Sequence, residues 1–320
     1  MIMFPNHILR VSIASGALLA SLAVLSSCKS GSNTISPSSG APIATSGSEA
    51  DILIAEAQNY AKAGKTKRAL GTYHKVKKKF PHSAAAAEAQ HGQARLLDQK
   101  GDLVEAFEVY QVLISSYPSS KYYGSAIKRQ EQIAHSVADG IIKNNFLGLK
   151  TKISPNKTIN MLTKVRNNAP AAPSASRAQL AIGKVSQQSS NISAAMSAYK
   201  TVGIDYPHSA EAPEALFLTG ELLVKQAEQG NQNKAHVNRA RRIYQDLISA
   251  YPSHKRASDA KQRLAVLGGQ DVQRSYDTAE FYRKKGKTKS ALFYYQEVLR
   301  QTPKGSLHNL AKQRVTELGG

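Results

Sequence analysis

The sequence predicts an all-α protein, a right-handed α-solenoid of stacked helix hairpins. Three observations carry that prediction. An alanine, an aromatic four residues on and a proline eight beyond it recur five times with one spacing. A glycine stands five residues before the alanine in three of the copies. No run alternates with period two, so no strand is predicted.

In chain order, residues 1–27 read as a lipoprotein signal peptide. One positive charge, Arg10, precedes an apolar run from Val11 to Leu25, and Leu25-Ser26-Ser27-Cys28 follows. The run is shorter than the roughly 20 apolar residues that a spanning helix needs. Leu-Ser-Ser-Cys is similar to a bacterial lipobox, where the leader is cut before a cysteine that receives acyl chains such as palmitate. Cys28, the only cysteine in 320 residues, is therefore the expected lipidation site, which leaves no thiol for a disulfide. Each buried CH2 of an acyl chain contributes about 0.8 kcal/mol to anchoring. Residues 28–48 form the expected tether, rich in Ser, Gly and Pro, with a coil reach of about 25 Å. Lys29, where an aspartate would retain a lipoprotein in the inner membrane, favours the outer membrane, facing the periplasm.

The body starts near residue 49. The repeated triplets are Ala69, Tyr73, Pro81; Ala106, Tyr110, Pro118; Ala195, Tyr199, Pro207; Ala240, Tyr244, Pro252; and Ala291, Tyr295, Pro303. A worn sixth copy is Thr158, Leu162, Pro170. The small residue lets a second helix approach the first, and the aromatic one turn later fills the gap between them. Proline ends the helix. Gly64, Gly101 and Gly286 suit the left-handed residue closing the first helix. Thr66, Asp102 and Thr288 are expected N-caps for the second helices, and Ser83, Ser120 and Ser209 for the helices after the prolines. Residues 228–236 read as a polar loop within one hairpin. The segment 139–176, with Gly140, Gly148, Pro155, Pro170 and Pro173, reads as a degenerate repeat or joint between repeats at 49–138 and 177–320. A second short joint is expected after Leu267.

This pattern resembles the tetratricopeptide repeat. Tyr60 and Tyr282 fall on its first-helix aromatic and Gly183 on its first-helix glycine, which Ala57, Ala94 and Ala279 replace in other copies. The prolines are 37, 52, 37, 45 and 51 residues apart, against the usual 34, which implies extended or additional helices.

A narrower resemblance lies in the second half. Arg239-Ala240-Arg241-Arg242-Ile243-Tyr244, Tyr251-Pro252, Asp259-Ala260-Lys261-Gln262-Arg263-Leu264 and Ala279-Glu280-Phe281-Tyr282 follow in order. The succession, best over 235–303, is similar to the BamD family, repeat lipoproteins of the machinery that assembles β-barrels in outer membranes. The resemblance implies a scaffold whose N-terminal groove meets unfolded barrel substrates and whose C-terminal repeats dock on the central barrel subunit. Projected onto this chain, the groove face carries Gln58, Lys62, His91, Arg95 and Asp98. Lys62 and Arg95 are placed to meet a carboxylate. The corresponding partner-docking residues are Arg242, Lys261, Arg263, Glu280, Arg283 and Lys284.

Other classes leave no trace. There is no His-Glu-x-x-His, phosphate-cradling glycine loop or Gly-x-Ser-x-Gly elbow. No stretch of about 100 residues is left for a glycosidase-like module. No enzyme, metal or cofactor is expected. With 43 Lys and Arg against 22 acids, the chain carries a formal charge of +21, which suggests an acidic neighbour, lipid phosphate or protein. Nucleic acid is not expected at a periplasmic address. The rival function is a repeat lipoprotein adaptor of another envelope machine, a pilus pilotin or a cell-division coordinator.

Overall fold

A computed structural model describes residues 48–140, 144–146, 149–229 and 234–320. The expected signal peptide, Cys28 and nearly all of the expected tether lie outside these residues. The described residues form one compact unit.

Among the described residues there are 13 helices: α1 (Ser48–Lys62), α2 (Thr66–Lys79), α3 (Ala84–Lys100), α4 (Leu103–Ser116), α5 (Tyr123–Ala138), α6 (Pro155–Asn168), α7 (Pro173–Gln188), α8 (Ile192–Asp205), α9 (Ala212–Gln229), α10 (Lys234–Ala250), α11 (Lys255–Lys284), α12 (Thr288–Gln301) and α13 (Ser306–Glu317). Sequential helices pack pairwise, as a solenoid requires. The five repeated alanines are fully buried and their tyrosines at most 4% exposed. The worn copy behaves alike: Thr158 and Leu162 are buried on α6, which places the 139–176 segment's helix in the second position of a third hairpin. Two of the tyrosines that precede a repeat proline have their own task. Tyr117 donates to the Pro81 carbonyl at 3.0 Å and Tyr251 to the Pro207 carbonyl at 2.6 Å, tying successive turns together.

Gly64, Gly101 and Gly286 adopt φ of +69°, +84° and +68°. The amide after each reaches back to Tyr60, Leu97 and Tyr282, a Schellman closure. Ser190 does the same at φ +61°, and Asn191 donates to Ser186.

Four expectations need correction. Thr66 and Thr288 lie inside their helices, and Asp102 caps nothing. Lys65, Asp102 and Lys287, at ψ of 59°, 59° and 69°, make no side-chain cap bond, whereas Asn191, at ψ 77° after the Ser190 closure, caps α8, its Oδ1 accepting from Ala194 at 3.1 Å. Ser83 does cap α3, its Oγ accepting from Ala86 at 3.1 Å, whereas Ser209 Oγ is buried with no protein partner. A strand pair is present: β1 (Asn144–Phe146) and β2 (Leu149–Thr151) are antiparallel, with Asn145 opposite Lys150. Three residues per strand are too few to show alternation in a sequence. Finally, there is no joint after Leu267. Helix α11 runs through Gly268 and Gly269 for 30 residues. Its first half, with Ala260 and Leu267, enters a core with α9 and α10, and its second half, with Val272 and Ala279, a core with α12 and α13. Packing at both ends outweighs the roughly 1 kcal/mol that each glycine costs a helix.

Candidate functional site

First helices α1 and α3 and the start of α5 wall a groove of about 510 Å³. Its floor is set by a close approach. Gly92 sits over the Tyr73 ring, where a Cβ would lie 2.5 Å from Cζ. Gln58 and Lys62 line it from α1, and Glu88, His91 and Arg95 from α3. Spacings of three and four put each set on one helix face. Tyr122 closes the end, its ring stacked on His91 at 4.3 Å between centroids and 13° between planes.

The groove's charges are not balanced internally. Glu88 accepts the Gln58 amide at 2.9 Å. Lys62 and Arg95 make no ion pair among the described residues. Burial, helped by the Arg95 guanidinium, holds the His91 imidazole below its ordinary value, so it sits neutral beside the two cations. Burial likewise raises the Tyr73 and Tyr122 phenols, which remain hydrogen-bond donors. The surface has an apolar floor, stacked aromatic rings and two uncommitted cations. Such a surface suits a short extended segment bearing an aromatic side chain and a carboxylate.

Four of the five residues projected from sequence, Gln58, Lys62, His91 and Arg95, therefore share one groove. Asp98 does not line it. Arg129 of α5 takes both its carboxylate oxygens, at 2.6 and 2.8 Å. Sequence reasoning missed Tyr122, whose stacking partner lies 31 positions earlier. It also missed buried Gln90 and Gln179, which donate to the Val109 and Ala198 carbonyls at 2.8 and 3.1 Å. Their equal spacing to Ala94 and Gly183 was the available signal.

The projected docking residues divide in two. Arg242, Lys261 and Lys284 are exposed. The other three are engaged internally. Arg263 pairs with Glu221 at 2.6 Å, and Glu221 also takes the Tyr244 hydroxyl at 2.6 Å. Glu280 takes the Tyr295 hydroxyl at 2.5 Å and Arg283 at 2.8 Å, with Arg314 of α13 at 3.3 Å. Those partners, Arg283 first, hold the Glu280 carboxyl down to about 2. Glu280 and Arg283 stiffen the last hairpin, whereas Arg263 ties α11 to α9 and stays exposed. What the last hairpin does expose is aromatic. Phe281 and Phe293 are 55% and 63% exposed. They flank the stacked pair Tyr282 and Tyr294, whose centroids are 5.6 Å apart.

No group of three or more His, Cys, Asp or Glu among the described residues could hold a metal ion. No helix among them is long and apolar enough to cross a membrane.

Comparison with family profiles agrees with this architecture. No curated protein matches the chain. A tetratricopeptide-repeat family profile matches residues 54–121. Among solved structures, a tetratricopeptide repeat protein from Parabacteroides merdae is 14% identical, with 86% of this chain and 100% of that one covered at a TM-score of 0.33. The pilF protein of Pseudomonas aeruginosa is 17% identical, with 84% and 96% covered and a TM-score of 0.30. MamA from Desulfovibrio magneticus RS-1 is 15% identical, with 65% and 98% covered and a TM-score of 0.32. The profile of the YfiO family, described as outer membrane lipoprotein, matches residues 151–312, from β2 into α13, and so reaches well upstream of the 235–303 resemblance. The chain belongs to the YfiO family of outer membrane lipoproteins.

Proposed function

We propose that this protein is a non-enzymatic, lipid-anchored scaffold that takes part in the assembly and insertion of β-barrel proteins into the outer membrane, on its periplasmic side. The observation that carries this reading is the pair of exposed rings Phe281 and Phe293 flanking the half-buried stack of Tyr282 on Tyr294. It lies within the family-matched region, on a hairpin braced by Glu280, Arg283 and Arg314. Rigid aromatic side chains standing in solvent are typical anchors of protein interfaces, and the central barrel-assembly subunit is the partner proposed for them. At the other end, the groove of Lys62, His91, Arg95 and Tyr122 is the proposed seat for segments of unfolded barrel substrates. Cys28 carries the anchor. Lys284 stands beside this row, Glu280 and Arg283 hold its shape, and Arg242, Lys261 and Arg263, on α10 and the first half of α11, are proposed as a second part of the docking surface.

The test is co-purification of the central subunit with the full-length protein and with the double variant Phe281→Ala, Phe293→Ala. The reading predicts loss of the subunit from the variant with the variant's thermal stability unchanged. Undiminished recovery would contradict it. Cys28→Ser tests the anchor separately: the protein is expected to leave the membrane fraction, and retention there after a high-salt wash would contradict lipidation.

A further inference from the structure

Helix α2 is the most basic of the second helices, with six cations and no acid against three and none on α6 and four and one on α10. It carries Lys67, Arg68, Lys75, Lys77, Lys78 and Lys79 and no acidic residue. Its counterpart α4 carries Glu105 and Glu108 and no cation, and α8 carries one lysine and one aspartate. The buried stripe of α2 is Ala69, Tyr73 and Val76. At 3.6 residues per turn, Lys67, Lys75 and Lys78 fall within an arc of roughly 100° on the opposite side. All three are exposed, with no acidic partner among the described residues. The helix dipole explains lysines in the last turn, but Lys67 and Arg68 stand in the first turn, where cations are unfavourable. Arg68 lies over the Tyr60 ring at 5.9 Å; for Lys67, Lys75 and Lys78 something outside the fold is needed.

The position of the helix indicates what. Lys79 pairs with Glu49, so the last turn of α2 lies beside the first turn of α1, where the tether enters. The twenty residues between Cys28 and that point have a coil reach of about 25 Å. With Cys28 acylated, this is the part of the solenoid held nearest to lipid headgroups.

We propose that the outer face of α2, centred on Lys67, Lys75 and Lys78, is a docking surface for the anionic phospholipid headgroups of the leaflet that holds the anchor. It orients the solenoid on the membrane and leaves the groove between α1 and α3, on the other side of the first hairpin's core, facing away from lipid. The address rests on the lipid-anchored reading, and the chemistry rests on α2 alone.

The experiment separates the two. All five cores lie between Ala50 and Ala311, so the fragment 40–320 holds every core contact and folds without Cys28. Its flotation is measured with vesicles of phosphatidylcholine containing phosphatidylglycerol and with vesicles of phosphatidylcholine alone. Expected is binding to the first only, abolished by high salt. Each cation near an anionic surface is worth about fivefold in affinity. Lys67→Gln, Lys75→Gln and Lys78→Gln together should therefore weaken binding about 100-fold. The matched triple Lys285→Gln, Lys287→Gln, Lys289→Gln should leave it largely intact. No flotation, or an equal loss from both triples, would overturn the proposal, the latter by reducing the effect to net charge. Circular dichroism of the variants, expected to match the parent, excludes misfolding as the cause.

Discussion

Tyr199 and Tyr244 set the tightest tolerances in the solenoid, because each packs its ring onto a first-helix glycine. A Cβ at Gly183 would lie 2.3 Å from the Tyr199 ring, and one at Gly220 2.4 Å from that of Tyr244. Both tyrosines are held, by Gln187 at 2.7 Å and Glu221 at 2.6 Å, and cannot swing aside freely. Gly183→Ala should therefore destabilise by about 1–3 kcal/mol, read as a fall in denaturation midpoint; an unchanged midpoint would contradict the packing. Ser190 is the converse case. It occupies the left-handed position that glycine fills in three sister turns, so Ser190→Gly should stabilise by up to about 1 kcal/mol. Acid should weaken the fold in two stages. Burial holds His91 and His135 below the ordinary histidine value. Unfolding then takes up protons as pH falls below about 6.5, and the stability present above that pH is lost. Glu280, held down to about 2, contributes stability that is complete above its ordinary value and lost as pH falls from about 4.5 towards 2. His135→Gln should flatten the melting temperature between pH 7 and 5, and Glu280→Gln only below pH 5. A variant that keeps the parent's full slope in its range would count against the assignment.

At the scale of elements, the second helices were legible because their packing needs particular residue types. A buried alanine and a tyrosine one turn later leave a mark that survives change elsewhere. First helices bury a broader set, such as Ala85, Ala86, Ala89 and Leu97 on α3, and are harder to delimit. Gly220 serves α9 as Gly183 serves α7, but the greater lengths of α9 and α10 shift it out of the repeat's spacing. The joint expected after Leu267 falls on two adjacent glycines; only the two cores of α11 explain why the helix continues. Neither glycine has any neighbour within 4 Å of an added Cβ. Gly268→Ala with Gly269→Ala should therefore stabilise by about 1–2 kcal/mol, measured by chemical denaturation. Destabilisation would show that the middle of α11 is not the regular helix described. The groove was legible in four residues because exposed positions on a first helix follow from its period. Asp98 was misplaced because its partner, Arg129, lies 31 residues away and nothing local announces it.

For the whole molecule, the solenoid places two chemically different surfaces at its two ends, a groove with free cations on α1 and α3 and an aromatic row on α11 and α12. That division suits a scaffold that receives one molecule and docks on another. The array itself should behave as a helical unit: fragment 50–318 should give a fully helical circular dichroism spectrum and melt cooperatively, and a strong β signal would contradict the fold. The claim that most needs testing is the partnership. Mildly crosslinked envelopes should be solubilised in detergent, the protein purified by affinity, and its partners identified by mass spectrometry. The account predicts recovery of a large outer-membrane barrel protein with periplasmic repeat domains, crosslinked through residues near Phe281 and Phe293. Recovery of pilus, division or peptidoglycan proteins in its place would contradict it and make the protein an adaptor of another envelope machine.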